Sequence, residues 1–121
     1  MSFIQTIYRK ITPFMYSNGF IAVSKCFYRI EADIAFCVEL CMPSELLYVN
    51  FYLIPLYMPC KNRYYTYGNR LNNLDIKALP IIKKNANNDQ IEQWCISFYD
   101  VLEMVVFPLP GIPIKTIFFI L

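Results

Sequence analysis

Apolar residues change their spacing along the chain, and each change marks an element. Ile4, Ile7, Tyr8, Ile11, Phe14 and Met15 recur at three- and four-residue intervals, so they form one stripe of a helix. Ser2 is available to cap its start, and Asn18-Gly19 supplies the residues that end helices. Pro13 lies within the stripe. Because proline removes a helical hydrogen bond and crowds the preceding turn, the pattern predicts a bend there or an end near Thr12.

Over residues 20–58 the period falls to two. Residues 20–30 are rich in β-branched and aromatic side chains and read as one strand. Glu31-Ala32-Asp33 interrupts it as a tight turn, after which Ile34, Phe36, Val38 and Leu40 alternate with Ala35, Cys37, Glu39 and Cys41; the first set shares one face of a second strand. Pro43 and Ser44 bring turn chemistry. In a third run, residues 46–58, Leu47, Val49, Phe51 and Leu53 face one way and Tyr48, Asn50, Tyr52 and Ile54 the other, until Pro55 and Pro59 exclude a central position. The three strands predict an antiparallel meander. Its second face, with Tyr48, Asn50, Tyr52, Glu39 and cysteines, is mixed enough to be partly wet.

Residues 60–88 read as a long irregular loop, with a short helical turn over 71–79 and a polar connector over 83–88. Asn87 or Asn88 can cap the next helix, with Asp89 in its first turn; Ile91, Trp94, Cys95, Phe98, Leu102, Val105 and Val106 mark its apolar side, and Glu92, Gln93, Asp100 and Glu103 the other. Three prolines and Gly111 within residues 107–113 stop it. Residues 116–121 are apolar and uncharged, so they must pack as a helical turn, as a strand or in a homodimer. The expected fold is α+β over a single domain, residues 1–121: an N-terminal helix, an antiparallel three- to four-stranded meander sheet, a long loop and a C-terminal amphipathic helix.

Composition narrows the classes. A chain of 121 residues and 14.3 kDa buries roughly two-thirds of its unfolded surface and needs no metal or disulfide to fold. The uncharged run over residues 46–60 contains Asn50, Pro55 and Pro59 and is shorter than the ~20 apolar residues a spanning helix requires, so no membrane partner is expected. Arg9 and Lys10 stand where the apolar part of a secretion signal would lie, and the expected location is the cytoplasm. Five cysteines, an odd number, then read as reduced, packed thiols. Cys37 and Cys41 lie four residues apart on one strand, ~13 Å and out of disulfide reach.

The sequence has no histidine, which removes the commonest general base and the usual triads. With no Cys-x-x-Cys pair a zinc site has little to use, and the three scattered glycines make no phosphate loop. No cofactor is expected. Glu31, Asp33 and Glu39 near the first hairpin are the carboxylates a hydrolase would use, and Cys60 beside Lys61 is the thiol with the nearest cation, but it lacks a proton partner. Catalysis is the weakest reading.

The most distinctive stretch interleaves Lys61, Arg63 and Arg70 with Tyr64, Tyr65 and Tyr67. These six are the candidate partner-binding residues. Tyrosine and arginine are over-represented in protein interfaces, the same mixture stacks on single-stranded bases, and the bland alternative has the tyrosines roof the open sheet face with the cations solvated. A net charge of +2 is too balanced to argue for a nucleic-acid or membrane partner by charge alone, and it disfavours an acidic decoy for a basic nuclease.

Asn18-Gly19-Phe20 after the first helix, Cys26-Phe27-Tyr28-Arg29, the charged turn at Glu31 to Asp33, Leu47-Tyr48-Val49-Asn50-Phe51-Tyr52, Tyr67-Gly68-Asn69-Arg70-Leu71 and a Trp-bearing helix running into Phe107-Pro108 together resemble the bacterial family catalogued as domain of unknown function 4304. The resemblance covers most of the chain through short structural motifs, and departs from the family over residues 111–121, which are short and unusually apolar. It implies a small α+β protein without an assigned activity, of a kind that includes immunity proteins beside toxins, and supplies no catalytic residues. The expectation is a non-enzymatic protein-binding module, an immunity- or antitoxin-like inhibitor of a bacterial toxin; the rivals are a single-stranded nucleic-acid binder and a structural homodimer joined through the apolar C-terminus.

Overall fold

A computed structural model describes residues 2–24, 26–56, 67–74 and 78–105. Helix α1 spans Phe3–Ser17. The Ser2 hydroxyl accepts from the Gln5 N–H while the Gln5 side chain accepts from the Ser2 N–H, so two of the donors left over at a helix start are satisfied reciprocally. Ile7, Ile11 and Met15, four residues apart, are wholly buried. Of the two expectations, a bend at Pro13 or an end near Thr12, the early end does not occur: the helix runs through Pro13 to Ser17, and Met15 in its last turn lies in the core. At its end Gly19 takes a φ of 84°, the left-handed conformation glycine adopts without a Cβ penalty. The N–H of Phe20 then reaches the carbonyl of Met15 at 3.0 Å and that of Gly19 the carbonyl of Tyr16 at 3.1 Å, a Schellman closure that tucks buried Phe20 beneath the helix.

The residues expected to form one strand over 20–30 fold back on themselves as β1 (Ile21–Val23) and β2 (Cys26–Glu31). Reversal at Ser24, whose φ is 58°, pairs Ala22 with Phe27 and Val23 with Cys26 and leaves Ser24 exposed. Ala32, with φ 54°, makes the expected turn into β3 (Ile34–Cys41), which pairs antiparallel with β4 (Leu46–Pro55). Phe36 stands opposite Leu53, Val38 opposite Phe51 and Leu40 opposite Val49, all on the face expected from the alternation.

Two further strands come from the region expected to be irregular. β5 (Tyr67–Arg70) pairs with residues 50–53 of β4, and β6 (Ile82–Lys83) with Leu46 and Leu47. The free edge of β4 presents unpaired backbone groups, and these short segments supply partners that no local periodicity announces. Strand order is β1-β2-β3-β4-β5 with β6 beside β4, so the described residues contribute six strands where a three- to four-stranded meander was expected. Between the β5 and β6 pairings the N–H of Val49 would be orphaned. Asn72, on the single helical turn Leu71–Asn73, accepts from it at 3.0 Å and donates to the carbonyls of Leu79 at 3.1 Å and Pro80 at 3.4 Å.

Helix α2 spans Asn88–Val105. Asn87 is its cap, exchanging two 2.9 Å bonds with Gln90. Ile91, Trp94, Cys95, Phe98, Val101 and Leu102 enter the core, and Trp94 donates to the carbonyl of Pro80 at 2.9 Å. The helices meet where Phe14 stacks on Tyr99 at 4.1 Å and Lys10 pairs with Glu92 at 2.8 Å. One cluster joins both helices to Phe27, Phe36, Val38, Leu40, Leu47, Val49, Phe51 and Leu53, so the molecule is α+β with both helices on the same side of an antiparallel sheet.

Asn72 is a buried polar group whose removal strands one donor, the Val49 N–H, and one acceptor, the Leu79 carbonyl, while Pro80 keeps the Trp94 donor. Asn72→Ala should lower unfolding free energy in urea by about 2 kcal/mol; a loss below about 0.5 kcal/mol would show that the bridge is dispensable.

Candidate protein-binding site

Successive side chains on a strand point to opposite faces, so seating Phe27, Phe36, Val38 and Phe51 under the helices turns their neighbours away from them. Register puts Cys26, Glu39, Asn50 and Arg70 in one row across four strands, and Tyr28, Cys37, Tyr52 and Gly68 in the next. Ile30, Ala35 and Ile54 make a third, and β1 adds Ile21 opposite Tyr28 and Val23 opposite Cys26. None of the aliphatic or thiol residues among them belongs to the cluster under the helices. Ile30 is 65% exposed, Ile21 59% and Val23 53%, and Tyr28, Tyr48 and Tyr52 are half-buried.

Polar chemistry on this face centres on Glu39. One of its oxygens accepts from the Asn50 amide at 3.2 Å and the other from the Cys26 thiol at 3.7 Å. Both donors are neutral, and a carboxylate has about four lone-pair sites, so Glu39 keeps capacity for further donors. Burial raises the Cys26 thiol above its ordinary value. Burial first, and then the neighbouring Cys26, push the Cys37 thiol up to about 12. The Tyr28 hydroxyl is raised as well, by burial and then by Cys37. All three groups therefore stay protonated at neutral pH, donors rather than nucleophiles.

Of the six candidate binding residues, Lys61, Arg63, Tyr64 and Tyr65 lie outside the described residues, as do Cys60 and the apolar residues 116–121. Tyr67 and Arg70, expected in a loop, are instead strand residues of β5, and Arg70 lays its guanidinium 4.1 Å above the Tyr48 ring. The three carboxylates of the hydrolase reading do not converge. Glu31 shares the helix-side register of Ile34 and pairs with Arg29 at 2.9 Å, Asp33 lies exposed in the turn, and Glu39 is on the opposite face. Among the described residues no group of three or more Cys, Asp or Glu is placed to hold a metal ion, and no helix is long and apolar enough to cross a membrane.

What the sequence did not disclose is the row joining Cys26, Glu39 and Asn50. Alternation assigned Glu39 and Asn50 to the mixed face, but their meeting depends on the pairing register. A separate groove of about 580 Å³ runs between the connector before α2 and the first turns of that helix, lined by Ile82, Lys83, Asp89, Gln93 and Trp94; it gathers one carboxylate and no thiol.

The folded chain holds the Cys37 proton more tightly than the unfolded chain does, so the stability tied to it is complete below the ordinary thiol value and is lost as pH rises from about 9 towards 12. Unfolding free energy in urea should fall across that window with a contribution from this thiol of up to about 1 kcal/mol per pH unit, and Cys37→Ala should make the fall shallower. An unchanged slope in the variant would contradict the assignment.

Comparison of the chain with family models, with curated proteins and with solved structures finds no match in any of the three.

Proposed function

We propose that the chain is a non-enzymatic protein-binding module whose binding surface is the face of the sheet opposite α1 and α2. The observation that carries this reading is the exposure of Ile21, Val23 and Ile30 beside half-buried Tyr28 and Tyr52 on the face opposite both helices, whose central Cys26, Cys37 and Asn50 are buried. Exposed apolar side chains rimmed by polar groups are what a partner surface removes from water, and tyrosine contributes contact area at low conformational cost. Arg70, the one described candidate cation whose side chain is placed, stands on the same face, over Tyr48. Within this class, the role of an immunity- or antitoxin-like inhibitor of a bacterial toxin comes from the resemblance to the 4304 family alone.

The test is affinity capture from a source lysate at ~150 mM salt, where weak charge attraction is screened, with the native chain beside two variants. Ile30→Lys places a charge on the proposed surface; Ile96→Lys does so at an equally accessible position on α2, where Ile96 is 51% exposed. A stoichiometric protein retained by the native chain and by Ile96→Lys, and reduced at least about tenfold with Ile30→Lys, is the expected result. Equal retention by both variants would remove the face from the account, and capture of the chain by itself would move the reading to the homodimer. A captured toxin whose growth inhibition the chain relieves would establish the narrower role.

A further inference from the structure

Resting on the protein-binding reading, we propose that the sheet face takes a partner segment carrying one lysine or arginine between aliphatic or aromatic side chains, with that cation paired to Glu39. Glu39 is half-buried at the middle strand of the meander, and its two hydrogen-bond donors, the Asn50 amide and the Cys26 thiol, are uncharged. Among the described residues the ion pairs are Lys10 with Glu92 and Arg29 with Glu31, both on other parts of the molecule. Among the described residues the face thus presents one carboxylate, held in place from two sides, with Tyr28 and Tyr52 in the next row and Ile30 and Ile54 in the one after. Arg70 shares its cross-strand row beyond Asn50, and its guanidinium is laid on the Tyr48 ring.

Docking any apolar surface here takes water away from that carboxylate, which is costly unless a donor replaces it. An uncharged or acidic partner segment would bear this cost, whereas a segment with one cation at that point forms a charge-assisted bond to an acceptor already oriented. Ile30, Ile21 and Tyr28 on one side and Tyr52 and Ile54 on the other require apolar neighbours around the cation. Selectivity therefore comes from Glu39, and contact area from the residues around it.

The probe is a library of random twelve-residue peptides displayed on phage and selected against the full chain, Glu39→Gln and Ile30→Lys. Glu39→Gln keeps the side chain's shape and an acceptor for Asn50, and its urea midpoint is measured alongside to establish that it folds. Peptides recovered on the native chain should carry Lys or Arg at one position with apolar flanks. A synthetic copy with that residue replaced by methionine should bind about tenfold more weakly to the native chain and equally to Glu39→Gln. Recovered peptides that are lost on Ile30→Lys but show no basic preference would overturn this inference and leave the protein-binding reading standing. Failure to recover any peptide would overturn both. The chain's own Lys115, between apolar residues 112–114 and 116–121, has the same chemistry; zero-length cross-linking of Glu39 to Lys115 within one chain would assign the face to that segment and also overturn the proposal.

Discussion

The pairing of β3 with β4 is the constraint on which the rest of the molecule depends. It runs without interruption from Ile34 opposite Pro55 to Cys41 opposite Tyr48, and because side chains alternate, a slip of one residue would exchange the two faces. Phe36, Val38, Leu40, Val49, Phe51 and Leu53 would then meet solvent, each giving up about 1.5–3 kcal/mol of burial, while Glu39 and Asn50 would be driven under the helices. The turn through Ala32 and the hairpin at Ser24 extend that register to β2 and β1, and β5 and β6 complete the second edge of β4.

This constraint makes two unlike faces. On the helix side the core is apolar, and its polar exceptions are each satisfied: Asn72 closes the gap between β5 and β6, and Trp94 gives its N–H to Pro80. On the opposite side the thiols of Cys26 and Cys37, the phenol of Tyr28 and the carboxylate of Glu39 lie among isoleucines and tyrosines. The raised thiols and phenol act as neutral hydrogen-bonding groups at ordinary pH, so among the described residues the face combines contact area with one carboxylate, Glu39, and one guanidinium, Arg70.

The sequence by itself determined the local elements, because each depends on residues close together in the chain. The helical stripe from Ile4 to Met15 with its Ser2 cap, the alternation through Ile34 to Leu40 and Leu47 to Leu53, the turn at Ala32-Asp33, the Asn87 cap and the buried side of α2 were all legible from spacing and capping chemistry. So was the mixed second face of the meander. Tertiary structure decided what depends on partners far along the chain. Phe20 to Ile30 had the composition of one strand, yet the reversal at Ser24 exists because Ala22 gains Phe27 as a neighbour on the core side. Tyr67 to Arg70 read as loop because strand character there comes from the vacant edge of β4, not from any alternation of its own. The candidate site divides in the same way. Composition pointed to Arg70 and the tyrosines, but the meeting of Cys26, Glu39 and Asn50 required a pairing register spread over three strands, and periodicity within a strand carries no information about register between strands.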